Sequence, residues 1–202
     1  VEVMGRHCGY LPLMAAVAGG ADYVFTPEDP AGPGWQDDLA EHLRVGREAG
    51  RRESIVLVAE GAHDRDGNEL STQLIADTIQ ERTGEDARVT ILGHVQRGGT
   101  PSAYDRWMST LLGYAAVQEI LASSAEDEPV ILGVRRNRIT RIPLMKAVHD
   151  TRAVKDLIAA GDYAAAQASR GSSFSSMVGI NQILSTPPQL TPEPTGEIKR
   201  VA

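Results

Sequence analysis

The run Ser54-Ile55-Val56-Leu57-Val58-Ala59 constrains the fold more than any other segment. Its apolar residues fall on both alternating faces, a pattern expected of a strand whose sheet is covered by helices on both sides. Other β-branched runs recur at Tyr23-Val24-Phe25, Val89-Thr90-Ile91-Leu92 and Val130-Ile131-Leu132-Gly133-Val134, and Val1-Glu2-Val3 reads as the tail of a strand. Helical periodicity separates them. Leu39 and Leu43 lie one turn apart in 36–49, and Leu74, Ile75 and Ile79 repeat the spacing in 71–82. A longer helix is expected over 103–122, with Trp107, Leu111, Leu112, Ala115 and Ile120 towards the core. Thr100-Pro101-Ser102 gives it a cap residue and a proline near the first turn. Beyond Pro143 the pattern is helical only, in short segments near 154–158, 163–168 and 174–184.

These alternations predict an α/β fold: a parallel-type sheet flanked by helices, with a helical C-terminal part. The expected division is an α/β lobe over 1–142, a helical segment over 143–185, and a linker over 186–202, where Pro187, Pro188, Pro192 and Pro194 cluster. The first strand lacks a beginning, and Ile198 and Val201 look like the start of another, so the chain reads as a piece of a longer one.

Composition narrows the function classes. Of 202 residues, 42% are apolar and 23% charged, which excludes a disordered tail, a collagen-like repeat and a coiled coil. No stretch approaches the roughly 20 apolar residues of a membrane span. A formal net charge of −7 argues against a general nucleic-acid binder, which needs clustered Lys and Arg. The single cysteine, Cys8, allows no internal disulfide and points to a reducing, cytoplasmic setting.

Three segments put polar groups where an α/β architecture keeps its ligands, beyond the carboxyl ends of strands. Met4-Gly5-Arg6-His7-Cys8-Gly9 follows the first strand; its glycines would let backbone approach a ligand, and Arg6 offers a planar fork for phosphate. Glu60-Gly61 ends the most apolar strand, where a carboxylate can accept hydrogen bonds from sugar hydroxyls. Gly93-His94-Val95-Gln96-Arg97-Gly98-Gly99-Thr100-Pro101 runs from a strand into a capped helix, an arrangement that holds anions. Asp64-Arg65-Asp66-Gly67-Asn68 has its glycine too early for a calcium loop and is expected to be a turn.

In order and spacing, the segments VEVMGRHCGYL, VAEGA and RVTILGHVQRGGTPSAYDR resemble the ATP-dependent 6-phosphofructokinases, most closely the eukaryotic type built from two fused halves. Supporting similarity lies in Pro27 to Trp35, Ile142-Pro143-Leu144-Met145 and Arg170-Gly171-Ser172-Ser173-Phe174. The resemblance implies the second lobe of the N-terminal, catalytic half, with 186–202 leading into the next half. It implies transfer of phosphate from ATP to the 1-hydroxyl of fructose 6-phosphate. Met4, Gly5 and Arg6 match a Met-Gly-Arg that holds the sugar phosphate, and Glu60 matches a carboxylate on its hydroxyls. His94 and Arg97, with Val95 and Gln96 in the same segment, match the grip on the 6-phosphate. Arg88 matches an arginine that reaches a neighbouring subunit or half, so partner subunits are implied. Gly20, Asp22, Arg51 and Arg52 fall where bacterial members bind nucleotide effectors. ATP, Mg²⁺ and the catalytic base are implied to bind upstream of Val1, leaving the piece inactive by itself. Two alternatives stand beside this reading: a pyrophosphate-dependent relative, and a regulatory half that binds sugar phosphate without catalysis.

Overall fold

The apolar run at 54–59 lies at the middle of a parallel sheet. In the computed structural model, which describes residues 1–186, strands β1 (Glu2–Val3), β2 (Tyr23–Phe25) and β3 (Val56–Ala59) pair in the order β1-β3-β2. Glu2 pairs with Val58 on one side of β3, and Tyr23 pairs with Val56 on the other. All three strands therefore point their carboxyl ends the same way, towards Met4, Thr26 and Glu60.

Helices α1 (Tyr10–Gly19), α2 (Trp35–Glu48) and α3 (Thr72–Thr83) belong to this unit, which among the described residues comprises 1–91 and 173–186, including most of α7 (Ser172–Ser185). Its core gathers Phe25, Trp35, Leu39, Leu43, Val58, Leu70, Ile75 and Ile79. Phe25 and Trp35 meet edge-on at 5.5 Å and 84°. The α2 and α3 expectations hold to within a residue, because both helices carry one apolar stripe against this core. By contrast α1 is apolar nearly all round, so no stripe marks it in the sequence.

Residues 92–172 form a second unit. It holds a 3₁₀ helix (Gly93–Arg97), α4 (Ala103–Ala122), β4 (Val130–Arg135), β5 (Arg138–Pro143), α5 (Leu144–Ala159) and α6 (Tyr163–Ser169). Three expectations are corrected here. The run at 130–134 does not extend a parallel sheet; β4 pairs antiparallel with β5 through Arg136 and Asn137, whose φ angles of 50° and 59° make a two-residue hairpin turn. The run at 89–92 forms no strand, because β1 is only two residues long and offers it a single bridge, Glu2 to Ile91. On α4 only Met108 is buried, while Trp107 and Ile120 are exposed. The helix has the two-stranded hairpin as its sheet partner, and that covers one narrow stripe. The helical finish over 144–185 is as expected. Apart from Thr186, the proposed linker lies outside the described residues.

Candidate functional site

The first candidate segment leaves the carboxyl end of β1 and turns into α1, and residues just beyond the ends of β3 and β2 pin it. Gly5 and Arg6 donate their backbone N–H groups to Glu60 Oε2, at 3.2 and 3.0 Å. Glu60 stands at the end of β3. Cys8 N–H closes the turn onto the Gly5 carbonyl at 3.0 Å. At the far end, Gly9 N–H donates to both carboxylate oxygens of Glu28, at 3.1 and 2.9 Å. Met4, Gly5, Arg6 and Glu60 are thus brought together at one end of the sheet.

The glycines serve this pinning. A β-carbon on Gly61 would lie 2.1 Å from the Arg6 carbonyl oxygen, one on Gly5 would lie 2.3 Å from that of Cys8, and one on Gly9 would lie 2.5 Å from Thr26 Cβ. The sequence expectation that Gly5 and Gly9 admit a ligand to the backbone is therefore corrected: the close approach is between parts of the protein. The amides of Gly5, Arg6, Cys8 and Gly9 are all bonded internally and so do not serve as anion donors here, which leaves that part to side chains such as Arg6. Arg6 is the exposed cation, and it is held at φ 50°, a left-handed conformation costing a non-glycine residue about 1–2 kcal/mol.

In the second unit, His94, Val95, Gln96 and Arg97 form the 3₁₀ helix. Side chains three apart eclipse in this geometry, so His94 and Arg97 share one exposed face. Gln96 turns inward, donating from Nε2 to the Gly93 carbonyl at 3.2 Å. The expectation that the α4 N-terminus holds an anion is also altered. Ser102 and Asp105 form a reciprocal capping box, with Ser102 N–H donating to Asp105 at 2.8 Å and Asp105 N–H donating to Ser102 Oγ at 3.2 Å. The Ser102 hydroxyl and then its N–H hold the Asp105 carboxyl below its ordinary range, so this helix end already carries its own anion.

The suggested effector residues collect at the opposite, amino end of the parallel sheet. Gly20 ends α1 in the left-handed conformation, its N–H on the Ala16 carbonyl. Asp22, nearly buried, pairs with Arg51 and accepts Ile55 N–H at 2.7 Å. Arg51 also donates to the carbonyls of Ser185 and Leu184, at 3.3 and 3.4 Å. Arg52 and Arg88 line a cavity of about 360 Å³ whose floor is apolar, from Leu43, Ile75 and Ile79. Arg88 is thus exposed at the end of the sheet away from Gly5 and Glu60. Asp64 accepts Asp66 and Asn68 N–H groups at 3.0 and 2.8 Å, the turn its sequence predicts. Among the described residues no helix is long and apolar enough to cross a membrane, and no group of three or more His, Cys, Asp or Glu could hold a metal ion.

Glu28 was missed by sequence reasoning. It lies in the Pro27 to Trp35 segment noted for its similarity, but no role was assigned to it there, and the Pro27 and Pro30 pair around it marks a rigid turn rather than a buried carboxylate.

The phosphofructokinase family model matches residues 1–120. An ATP-dependent 6-phosphofructokinase from Aspergillus niger is 48% identical over 175 residues, 86% of this chain and 22% of the relative. The T-state crystal structure of Pichia pastoris phosphofructokinase superposes with a TM-score of 0.85 at 41% identity, over 91% of this chain and 20% of that one. The Saccharomyces cerevisiae enzyme gives 0.82 at 43% identity, over 88% and 24%. The chain spans between a fifth and a quarter of these relatives' length. With the family model matched over residues 1–120 and a relative 48% identical across 86% of this chain, the chain belongs to the phosphofructokinase family.

Proposed function

We propose that this chain supplies the fructose 6-phosphate-binding residues of a cytoplasmic, oligomeric ATP-dependent 6-phosphofructokinase. The observation that carries the reading is the pairing of Glu60 with the Gly5 and Arg6 amides, which fixes an exposed arginine beside a carboxylate at the carboxyl end of a parallel sheet. Arg6, His94 and Arg97 are cations suited to a dianionic phosphate, and Glu60 is an acceptor suited to sugar hydroxyls. Met4, Val95 and Gln96 shape the same two turns. The 1-hydroxyl oxygen of the sugar bonds to the γ-phosphorus of ATP, the bond to ADP breaks, and the hydroxyl proton passes to a base. In this reading the base and the groups that hold ATP and Mg²⁺ come from parts of the longer enzyme outside this chain. The chain's own residues bind and orient the acceptor.

In this reading residues 1–142 form the sugar-phosphate lobe and 143–185 complete the half. Arg88 serves a neighbouring subunit, and Gly20, Asp22, Arg51 and Arg52 form the remnant of an effector site. The test is Arg97→Ala in the full-length enzyme carrying this chain. Losing one charge-assisted contact of about 1.5–3 kcal/mol raises KM for fructose 6-phosphate roughly ten- to hundredfold. An unchanged KM overturns the assignment.

A further inference from the structure

Glu28 is a fully buried carboxylate to which the proposed chemistry gives no task. Burying a charge is costly unless strong partners hold it, and an apolar residue of similar size would fill the space more cheaply. Its surroundings are rigid. Thr26, Pro27, Glu28 and Asp29 form a turn directly after β2, closed by Asp29 N–H on the Thr26 carbonyl at 3.3 Å, and Pro27 and Pro30 are buried on either side. The turn aims the carboxylate at the first N–H of the Gly9 cap, which has no side chain to cap α1 itself. A negative charge at this position also opposes the positive end of the α1 dipole.

Seen with Glu60, the geometry has a simple logic. The loop from Gly5 to Gly9 follows β1, and each of the other two strands contributes one glutamate to it. Glu60, after β3, holds the Gly5 and Arg6 end; Glu28, after β2, holds the Gly9 end. Arg6 sits at the Glu60 anchor, three residues before the Gly9 anchor, in a left-handed conformation that persists only where its surroundings hold it.

Resting on the proposed sugar-phosphate reading, we infer that Glu28 is a positioning residue: it touches no substrate, and by fixing Gly9 it fixes the direction in which Arg6 meets the phosphate. A second-strand glutamate then contributes to substrate affinity from a fully buried position.

The experiment compares Glu28→Ala, Glu28→Gln and Arg6→Ala in the full-length phosphofructokinase carrying this chain, measuring kcat and both KM values. Glu28→Ala is expected to raise KM for fructose 6-phosphate about tenfold, with kcat and KM for ATP within twofold of the parent. Glu28→Gln keeps a carbonyl acceptor for Gly9 N–H and is expected to return KM to within about threefold. If the alanine variant does not fold, Glu28→Asp takes its place, since it withdraws the carboxylate by one methylene. Amide exchange on each folded variant supplies a second reading, with protection falling over residues 5–12 and unchanged in α2 and α3. A merely structural glutamate would lower active fraction, kcat and both KM-derived efficiencies together, and that result overturns the inference. So does an unchanged fructose 6-phosphate KM in Glu28→Ala or Glu28→Asp when Arg6→Ala raises it. If Arg6→Ala itself leaves that KM unchanged, the sugar-phosphate reading fails and this inference falls with it.

Discussion

Replacing Gly61 by alanine isolates the contact on which the candidate site is built. The added β-carbon would sit 2.1 Å from the Arg6 carbonyl oxygen and 2.9 Å from its carbon, more than 1 Å inside ordinary contact. Moving Arg6 as a whole is resisted, because its N–H, on the preceding peptide, is tied to Glu60 at 3.0 Å and its φ is already 50°. The loop must therefore lift from β3. Overpacking of this kind costs about 1–3 kcal/mol, and weakening the two N–H to carboxylate bonds adds about 1 kcal/mol. A total near 3 kcal/mol corresponds to a fall in Tm of about 10 °C for a chain of this size. Gly19→Ala in the same unit is the control. It ends α1 with nothing within 4 Å of its would-be β-carbon, so the substitution should stabilise by about 0.5 kcal/mol. The assay is thermal unfolding of the 202-residue chain, with amide exchange over residues 4–9 to locate the change. A Gly61→Ala chain as stable as its Gly19→Ala counterpart would refute the packing argument.

Arg51→Ala is expected to cost about 2–3 kcal/mol, because Asp22 keeps only part of its compensation in a nearly buried position; unchanged denaturant unfolding would show that Arg51 has no structural task. Ser102→Ala should cost about 1 kcal/mol by removing the α4 cap, read by urea unfolding. The Asp105 carboxyl is held below its ordinary value of 3.8, so its stabilisation is complete above about pH 4 and is lost as pH falls through the lower folded value; an NMR titration midpoint at or above 3.8 contradicts this. Arg6→Gly should leave Tm within about 3 °C, since relief of the left-handed strain offsets the added freedom of the unfolded chain, while fructose 6-phosphate affinity of the enzyme falls at least tenfold. A Tm drop well beyond that range would mean the Arg6 side chain is a packing residue.

Legibility in the sequence followed how local the governing force was. Periodic stripes placed α2, α3 and α4 almost to the residue, and the run at 54–59 was correctly read as the inner strand. Pairing partners were not legible. The run at 130–134 has the same β-branched character as a parallel strand, and the left-handed pair Arg136 and Asn137 lacks the glycine that usually announces a tight hairpin. Met4, Gly5, Arg6 and Glu60 were found because strand ends followed by glycine have a recognisable composition, whereas the turn at 93–97, which follows no strand, was marked by its polar side chains among glycines. What those glycines do was not, since their close neighbours lie far off in sequence: Gly61 against Arg6, Gly9 against Thr26. Glu28 escaped for the same reason, its partner being 19 residues away on another strand's loop.

The two glutamates on the loop also set a timetable for folding. The Gly9–Glu28 contact closes 19 residues, whereas the Gly5–Glu60 contact closes 55 and requires β3 to be in place. Loop-closure entropy favours the shorter one by about 1 kcal/mol, and during synthesis its residues leave the ribosome first. Yet β1 and β2 do not pair with each other, only through β3 between them, so the sheet fixes neither contact until the central strand docks. The Arg6 end acquires its left-handed shape at that same step, so the completed loop is a late marker of folding, one that reports the docking of β3.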